Sequence, residues 1–349
     1  MSIEKILSIR DLEKIKKSYN DETAKYGYQV LLCGGAGCIS SGSPEVLKAV
    51  RDEISALGIE DKAVVRETGC MGLCAAGPLM LILPDKTLYT KLTPEKAQSI
   101  VKSHLGEGRI LTGYTYYDES LEKHISNIDD IDFYKEQVKI ALRNCGAMEY
   151  ASIEAYIARD GYFAAAKAIT GMSSLDVINE VKKSGLKGRG GAGFPTSVKW
   201  EAGFKAESGR KFIVCNADEG DPGAFMDRSI IEGDPHSIIE GMIIGGYAIG
   251  ANMGYVYVRA EYPIAVTRLT QAIEQARRFG LLGGRLFGGD FEFDIEIRIG
   301  AGAFVCGEET ALMASIEGER GEPRQKPPFP FQQGLFKKPT IINNAETLA

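Results

Sequence analysis

Several features that mark other classes of protein are missing from this sequence. There is no excess of positive charge, since the 349 residues carry a net charge of -6 at pH 7, which argues against nucleic acid or an anionic membrane as a partner. Met1–Tyr19 lacks the apolar core and cleavage site of an export signal. The most apolar run, Ile238–Val258, contains Glu240, Asn252 and several glycines. We therefore expect a buried helix leading into a strand there, and no membrane span.

Cysteine is present in quantity, with seven residues in the chain. Without an export signal, this number indicates a cytoplasmic, reducing location in which thiols bind metals or stay free. C-x4-C and C-x3-C pairs lie in glycine-rich turns after predicted strands, at Cys33, Cys38, Cys70 and Cys74. Disulfides do not suit such a compartment, but structural zinc and a [2Fe–2S] cluster both stay open. The remaining thiols are predicted to pack as small hydrophobes: Cys145, Cys215 and Cys306.

The length favours two domains, and the first of them is predicted to be small. Residues 1–25 predict an exposed helical lead-in, and 26–110 predict elements in the order β-α-β-β-β-α, compatible with a thioredoxin-like layer. A helix is expected to begin at Ser43, as N-cap, with proline at the first helical position. The last helix of this domain is expected to start at Thr93-Pro94-Glu95. The segment Pro84–Lys86 lies between apolar runs and predicts a hairpin turn.

A second domain is predicted over 133–349, after a polar, tyrosine-rich segment, 111–132, that we interpret as a linker. Lys211–Cys215 predicts a strand, and Ile264–Phe279 predicts a helix. Alternating apolar residues in Phe291–Ile299 predict a further strand.

The second domain is organised around a glycine-rich loop at the start of Gly188–Trp200. Its glycines satisfy G-x-G-x-x-G, but the dinucleotide fingerprint should follow a strand, whereas Leu175–Leu186 has apolar residues at helical spacing. Backbone N–H groups of such a loop suit phosphate oxygens, and Arg189 and Lys199 add positive charge. The sequence therefore predicts phosphate binding by a loop built differently from the Rossmann fingerprint, with a flexible surface loop as the alternative.

Other polar motifs in this domain have ordinary alternatives. Asp218 and Glu219 could form a solvated acidic turn. Glu308 and Glu309 follow a glycine-rich loop and could favour a helix N-terminus electrostatically. Phe329, between prolines, could simply fill a loop.

Five motifs follow one another along the second domain: Gly188–Thr196, Cys215–Glu219, Gly302–Thr310, Lys326–Pro330 and Asn343–Thr347. In this order they resemble the 51-kDa flavoprotein subunit family of respiratory complex I. The four-cysteine pattern is similar to the thioredoxin-like [2Fe–2S] ferredoxin domain of the 24-kDa subunit family. Both modules on one chain resemble flavin subunits of NAD(P)-linked [FeFe] hydrogenases, including electron-bifurcating ones, and of NAD-dependent formate dehydrogenases. The resemblance implies an α/β fold: an N-terminal thioredoxin-like [2Fe–2S] domain followed by a Rossmann-like α/β FMN-binding domain.

By position, the resemblance implies sites for FMN and for NAD(H) or NADP(H). The glycine loop and Lys199 are expected to hold the FMN phosphate and ribityl chain, and Asn343 and Asn344 to reach the phosphate side. Asn216, Asp218 and Glu219 are expected to lie along the flavin edge. Phe194 and Phe329 are expected to stack on the nicotinamide nucleotide, and Lys326 is expected to lie near its phosphates. Glu309 and Glu219 are the predicted catalytic residues. The predicted binding residues are Gly188, Arg189, Gly190, Gly191, Gly193, Phe194, Lys199, Asn216, Asp218, Glu219, Asp221, Gly307, Glu308, Glu309, Lys326, Phe329, Asn343 and Asn344.

Three departures from the family pattern bear on function. Phe304 replaces the usual tyrosine, so no hydroxyl is present there. Asp221 replaces the usual glutamate that faces the adenosine ribose, which leaves the choice between NAD and NADP open. The ubiquitin-like segment and the helical [4Fe–4S] domain of the family are absent, and we expect an incomplete chain or a short variant.

The resemblance implies a diaphorase subunit that passes electrons between a nicotinamide nucleotide, FMN and iron–sulfur clusters. Expected partners are a hydrogenase or formate dehydrogenase catalytic subunit, a small iron–sulfur subunit, and ferredoxin if the enzyme bifurcates electrons. The alternatives are a non-redox assembly or docking subunit and a flavin diaphorase with a zinc-bound N-terminal module.

Overall fold

The computed structural model describes residues 5–150 and 152–349. These residues form two compact units. The small unit contains Ser18–Tyr150 with Glu232–Asp234. The large unit contains the rest of the described chain, mainly 152–231 and Pro235–Ala349. Each unit has its own sheet, and each is described separately below.

The first part of the chain alternates helices with short strands. Three short 3-10 turns lie among them. The turn Cys74–Ala76 precedes β3, Thr112–Tyr114 precedes β5, and Ile128–Asp130 precedes α5. The regular elements are α1 (Ile9–Thr23), β1 (Tyr28–Cys33), α2 (Ala36–Ser40), α3 (Ser43–Leu57), β2 (Ala63–Thr68), β3 (Met80–Leu83), β4 (Thr87–Tyr89), α4 (Pro94–Ile100, continued by a π-helical turn at Val101–Gly106), β5 (Tyr116–Asp118), β6 (Lys123–Ile125) and α5 (Asp132–Lys135).

The sheet of the small unit has the strand order β2-β1-β3-β4, with β1 and β2 parallel and the other pairs antiparallel. Successive side chains of β1 point to opposite faces of the sheet, and both faces are buried. Val30 and Leu32 pack with apolar residues of α3 and α4, whereas Leu31 and Cys33 pack with the cysteine loops and β6. The predicted β-α-β-β-β-α order and thioredoxin-like layer are therefore found.

The helix boundaries of this unit follow local capping chemistry. The Thr93 hydroxyl accepts the Lys96 N–H at 3.4 Å, with Pro94 directly after it, as predicted. The prediction of Ser43 as an N-cap is wrong, because Gly42 holds that position with φ 93° and Ser43 is already helical. A glycine takes the position because the backbone there is left-handed.

The segment that we expected to be a linker is folded within the small unit. Strands β5 and β6 pair as a hairpin, and isolated bridges join Thr87 to Asn127 and Tyr89 to Thr115. Ile125 and Ile131 are buried against the sheet. The following residues, up to Tyr150, also belong to this unit.

The large unit is richer in helices. A 3-10 turn precedes its late helix at Phe304–Gly307, and another at Leu335–Lys337 precedes the last strand. The regular elements are α6 (Ile153–Ala158), α7 (Phe163–Gly171), α8 (Ser174–Ser184), α9 (Thr196–Lys205), β7 (Phe212–Ala217), α10 (Met226–Gly233), α11 (Pro235–Ile249), β8 (Met253–Arg259), α12 (Pro263–Arg278), β9 (Gly284–Arg285), β10 (Glu292–Gly300), α13 (Glu309–Ile316), α14 (Pro330–Gln333), β11 (Thr340–Asn344) and α15 (Ala345–Leu348).

The sheet of the large unit has the strand order β11-β7-β8-β10-β9. The first four strands are parallel, and only β9 at the edge is antiparallel. β7 and β8 are almost entirely buried, as expected of parallel strands covered on both faces. Helix α11 and strand β8 confirm the predicted buried helix that leads into a strand. Within the described residues, no helix has the length and hydropathy needed to cross a membrane.

The parallel strands place their carboxyl ends at one edge of this sheet. In doubly wound α/β folds, ligands bind in the crevice outside that edge. The residues that end β11, β7 and β8 are Asn344, Ala217 and Arg259, so two of the predicted flavin motifs lie there. The candidate site of the large unit is therefore at this edge.

Candidate functional site

The glycine loop is closed at its base and open at its tip. Lys187 and Pro195 pair as a bridge, and the Gly188 N–H donates to the Phe194 carbonyl at 2.8 Å. Gly191 and Gly193 have φ values of 103° and 62°, and a Cβ at either position would meet open space. The tip therefore needs glycine for its backbone conformation and leaves room for a ligand.

The loop is fixed to the end of β11 and to α15. The Arg189 N–H donates to Thr347 Oγ1 at 2.9 Å, and the Arg189 guanidinium lies 3.8 Å from Glu346. A Cβ on Gly190 would stand 3.4 Å from the Asn344 Cβ. The structure thus brings the first and last predicted motifs together.

Lys199 lies on the first turns of α9, directly after the loop. Its Nζ donates to the Ile342 carbonyl at 3.0 Å. Burial lowers the pKa of Lys199, and Lys326 lowers it further, while Glu309 acts in the opposite direction. Lys199 therefore lies within electrostatic reach of Glu309 and Lys326, which belong to two of the predicted motifs.

Asn216 and Asp218 form the central part of the edge. Asn216 Nδ2 donates to the Gly307 carbonyl at 2.8 Å, and Asn216 Oδ1 accepts the Asp218 N–H at 3.0 Å. Burial raises the pKa of Asp218 to about 6, and Arg259 counteracts this rise. Asp218 Oδ2 is buried and has no hydrogen-bond partner among the described residues. An unpartnered buried carboxyl oxygen is the kind of atom that a bound ligand satisfies.

Glu219 has a different environment from the one we expected at a flavin edge. Its carboxylate accepts the N–H groups of Met226, Asp227 and Arg228 at 2.7, 3.2 and 3.2 Å, at the start of α10. Its carbonyl accepts the Arg259 guanidinium at 2.9 Å. In this structure Glu219 anchors a helix N-terminus, so its predicted catalytic role stays a prediction. Asp221 is exposed.

Glu308, Glu309 and Lys326 form a compact charged group. Lys326 Nζ lies 2.5 Å from Glu309 Oε1 and 3.3 Å from Glu308 Oε1. Burial lowers the pKa of Lys326, but the two carboxylates raise it above its ordinary value overall. Glu308 also caps α13 by accepting the N–H groups of Thr310 and Ala311 at 2.8 and 3.0 Å. The helix-terminus alternative for Glu308 is therefore found, beside its contact with Lys326.

The side chains of Asn343 and Asn344 are hydrogen-bonded to other groups of the protein. Asn343 Oδ1 accepts the Trp200 indole N–H at 2.9 Å. Asn344 Oδ1 accepts the Glu346 N–H at 3.0 Å, and its Nδ2 donates to Asp227 Oδ2 at 2.6 Å.

Asp227 is a residue of the site that the sequence analysis missed. Its side chain is 3 % exposed, and burial, together with Glu219, raises its pKa to about 7. Asp227 Oδ1 is buried without a hydrogen-bond partner among the described residues. No motif spacing singles it out, because it is an acid in the first turn of an ordinary helix.

The aromatic residues predicted to stack on a nucleotide are available to do so. Phe194 and Phe329 are 50 % and 45 % exposed. The Phe329 ring stacks on Phe331, with centroids 5.8 Å apart. Phe304 covers the backbone of Gly220, where a Cβ would stand 2.6 Å from the ring. The ring that replaces the usual tyrosine therefore lies against the Asp218–Asp221 turn.

These residues fit FMN. The loop tip gives glycine backbone for a phosphate, Lys199 gives a half-buried cation on the helix that follows the loop, and Asp218 Oδ2 gives an acceptor without a partner at the edge.

The four predicted metal-binding thiols converge in the small unit. Cys70 Sγ and Cys74 Sγ are 3.9 Å apart, and Cys33 interacts with both Cys38 and Cys70. Contact with Cys38 raises the pKa of the Cys33 thiol to about 11, because accumulating thiolate charge in one place is unfavourable without a cation. Such a group needs positive ions to hold all of its sulfurs as thiolates.

Glycines shape the space around these sulfurs. A Cβ on Gly35 would stand 2.9 Å from Cys70 Cβ, and one on Gly77 would stand 2.9 Å from Cys38 Sγ. The Gly72 N–H donates to Cys70 Sγ at 3.4 Å. The glycine-lined cradle and the N–H···S contact fit a [2Fe–2S] cluster, a larger guest whose potential depends on such hydrogen bonds.

Comparison with known families agrees with this geometry. Residues 181–349 match the Nuo51 FMN-binding domain, and residues 13–104 match the thioredoxin-like [2Fe–2S] ferredoxin. The chain therefore contains a Nuo51-type FMN-binding domain at 181–349 and a thioredoxin-like [2Fe–2S] ferredoxin domain at 13–104. Both predicted modules and the predicted cofactors, FMN and a [2Fe–2S] cluster, are confirmed by these matches, and the zinc alternative is set aside.

Several curated proteins are similar to the chain. It is 60% identical over 215 residues to the NADP-reducing hydrogenase subunit HndC of Solidesulfovibrio fructosivorans, covering 62% of this chain and 44% of that protein. It is 40% identical over 290 residues to the NAD-reducing hydrogenase HoxS subunit alpha of Cupriavidus necator, covering 81% and 45%. It is 52% identical over 198 residues to an NADH-quinone oxidoreductase subunit of Aquifex aeolicus, covering 57% and 46%. The chain spans about half the length of these relatives.

A solved structure is similar across nearly the whole chain. The NAD+-reducing [NiFe]-hydrogenase in its air-oxidised state aligns with a TM-score of 0.50 and 25% sequence identity. The alignment covers 98% of this chain and 57% of that one.

Proposed function

We propose that this chain is the flavin- and cluster-bearing part of an NAD(P)-linked hydrogenase, moving electrons between a nicotinamide nucleotide, FMN and iron–sulfur clusters. The main support is that one chain combines the two families, together with the similarity to HoxS subunit alpha over 81% of the chain. The observation that carries the proposal is a buried carboxyl oxygen without a partner, Asp218 Oδ2, just after the carboxyl end of β7. The glycine loop and Lys199, which are hydrogen-bonded to Thr347 and to the Ile342 carbonyl of the neighbouring strand β11, support it.

Bound FMN supplies a carrier that takes electrons from the nucleotide in pairs and gives them up singly, which suits a one-electron cluster. The chain supplies position and charge. The loop N–H groups and Lys199 would hold the phosphate, and Asn216 and Asp218 would fix the isoalloxazine edge through an amide and a carboxyl. Glu308 would keep the start of α13 in place, so that Gly307 stays in reach of Asn216.

The nucleotide side depends on Lys326 and the exposed rings. Lys326 is held by Glu308 and Glu309, and a nucleotide phosphate would compete for the same ammonium. Phe194 and Phe329 would stack on the nucleotide and exclude water from it. Both NAD(H) and NADP(H) stay in the proposal, since Asp221 is a short, exposed carboxylate and the relatives include both kinds by name.

The proposed main partner is a hydrogenase catalytic subunit, since hydrogenase subunits are among the relatives. A small iron–sulfur subunit and ferredoxin are further proposals, as is a cytoplasmic location. A formate dehydrogenase flavin subunit is the alternative assembly. It would use the same site and differ only in the catalytic partner. The alternative of a non-redox docking subunit is disfavoured, because the four cysteines and the glycine loop that the cofactors would need are all present.

A flavin titration tests the site. The anaerobic chain, loaded with FMN, iron and sulfide, is treated with NADH and with NADPH while the flavin absorbance is followed. We expect at least one nucleotide to bleach the flavin. We also expect Lys199→Gln to weaken FMN binding by about tenfold or more, because a charge-assisted contact to phosphate is lost.

Lys205→Gln is the matched control, since Lys205 lies on the same helix with a side chain 66% exposed. It should bind FMN as the wild type does. Equal loss in both variants, or FMN that neither nucleotide reduces, would overturn the proposed function.

A further inference from the structure

The residues that follow the start of α5 cover the cysteine loop of the small unit. The Phe133 ring lies over Gly72, where a Cβ would stand 3.1 Å from it. The Tyr134 hydroxyl donates to the Met71 carbonyl at 2.8 Å. Gly72 and Met71 are both between the ligand positions Cys70 and Cys74. The segment 132–150, which lies outside the matched ferredoxin residues 13–104, is therefore part of the cluster environment.

The far end of this segment is fixed to the strand that precedes the loop. The Gly146 N–H donates to Thr68 Oγ1 at 3.0 Å, and Glu149 bridges Thr68. The Tyr150 N–H donates to the Glu67 carbonyl at 3.3 Å. With both ends attached, the middle of the segment is held near the cysteines.

Lys139 is a charged residue in the middle of the segment 132–150. Its ammonium lies 4.8 Å from the centroid of the Tyr134 ring, a cation–π contact. It is only partly exposed. Burial lowers the pKa of Lys139, while Cys145 and Cys70 act in the opposite direction. No carboxylate of the described chain lies within ion-pair distance of it. A partly buried ammonium without a carboxylate is costly unless another negative charge is near.

We propose that Lys139 is the counter-charge of the [2Fe–2S] cluster and raises its reduction potential. An oxidised cluster held by four thiolates is negatively charged, and uptake of one electron, with no bond made or broken, adds one negative charge. A fixed ammonium stabilises the reduced form more than the oxidised form. Lys139 is thus a positioning charge that acts through the electrostatic field and is not a ligand.

The inference rests on the proposed cluster, and one set of measurements separates the two. Iron and sulfide are determined in the anaerobic, cluster-loaded chain. The midpoint potential is then measured by titration with dithionite and redox mediators, with the cluster followed by electron paramagnetic resonance. Lys139→Gln is expected to shift the one-electron equilibrium toward the oxidised cluster by about tenfold, which is a fall of about 59 mV.

Further variants provide the controls. Lys139→Arg keeps the charge and should stay within about twofold of the wild-type equilibrium. Lys135→Gln removes an exposed lysine of the same segment and should leave it unchanged. Tyr134→Leu removes the ring below the ammonium, and we expect a smaller shift in the same direction as Lys139→Gln.

The outcomes are distinguishable. A fall confined to the Lys139→Gln and Tyr134→Leu variants supports the inference. A normal cluster with an unchanged potential in both of these variants overturns it and leaves the proposed function intact. The inference is equally overturned if Lys135→Gln shifts the potential as much as Lys139→Gln does. If Lys139→Gln does not assemble a cluster, Tyr134→Leu and Lys139→Arg decide by the same criteria. A wild-type chain without iron and sulfide overturns both this inference and the cluster proposal.

Discussion

Asp227 joins two predicted parts of the flavin site through one buried side chain. Its Oδ2 accepts the Asn344 amide at 2.6 Å, and it lies at the α10 N-terminus that the Glu219 carboxylate holds. Burial raises its pKa to about 7, and Glu219 adds to the rise. The folded chain therefore binds this proton more tightly than the unfolded chain does, whose carboxyl has a pKa near 3.8.

The raised pKa predicts a pH-dependent stability. The contribution of Asp227 to the free energy of unfolding is most favourable below about pH 4 and falls as pH rises to about 7, because only the unfolded state ionises freely in that window. Asp227→Asn keeps an acceptor for Asn344 and cannot ionise. We expect it to exceed the wild type by roughly 2–4 kcal/mol at pH 8 and to match it near pH 4.

The measurement is urea unfolding followed by Trp200 fluorescence, since the chain has a single tryptophan. Asp290→Asn is the control, because that side chain is 97% exposed and its effect should not vary with pH. A constant offset between Asp227→Asn and the wild type at all pH values would contradict the prediction.

Site residues that belong to a motif with regular spacing could be predicted from the sequence. Residues whose role depends on contacts made only in the folded chain could not. Cys33, Cys38, Cys70 and Cys74 could be predicted because thiols at short spacing have few other uses. Asp227 could not, since its importance comes from Asn344, more than a hundred residues away in the chain. The helix-anchoring contacts of Glu219 could not be predicted either, because they depend on where α10 begins.

Among the elements, the glycine loop connects the fold most directly to the chemistry. It runs between α8 and α9 and is joined to α15, directly after β11, by the hydrogen bond from the Arg189 N–H to Thr347. Its tip has positive φ at two glycines and no packing atoms around them. The conformation of the loop is therefore set by residue type and not by contacts at the tip.

Gly191→Ala tests that conclusion. With φ at 103°, an alanine is strained by about 1–2 kcal/mol, and we expect the loop to move and FMN affinity to fall by about tenfold. Gly209→Ala is the control, since its Cβ also meets open space and its φ is not positive. Titration of the apoprotein with FMN measures both. Wild-type affinity in Gly191→Ala, or an equal loss in Gly209→Ala, would be the contrary result.

Long, strongly patterned elements could be predicted from the sequence, and short ones could not. The α11–β8 pair and the hairpin at Pro84 follow from apolar runs and turn residues. Strands β5 and β6 have three residues each, which is too short for a period-two pattern to stand out. A tyrosine-rich segment therefore suggested a linker, although its apolar residues pack on the sheet of the small unit.

At the scale of the whole molecule, the chain combines a flavin domain and a ferredoxin domain that each carry a set of candidate binding residues. The two domains have complementary roles, because a nucleotide gives electrons in pairs, a cluster takes them singly, and a flavin can do both. The central claim is that FMN held at the large sheet connects the nucleotide to the cluster held by the four cysteines.

Cluster reduction by the nucleotide is the most direct test of that claim. The anaerobic chain, loaded with the cluster, is mixed with NADH or NADPH with and without FMN, and the reduced cluster is counted by electron paramagnetic resonance, with dithionite giving full reduction as the reference. We predict cluster reduction by at least one nucleotide only when FMN is bound. Reduction that is equally fast without FMN, or a reduced flavin beside a cluster that stays oxidised while dithionite reduces it, would contradict the account.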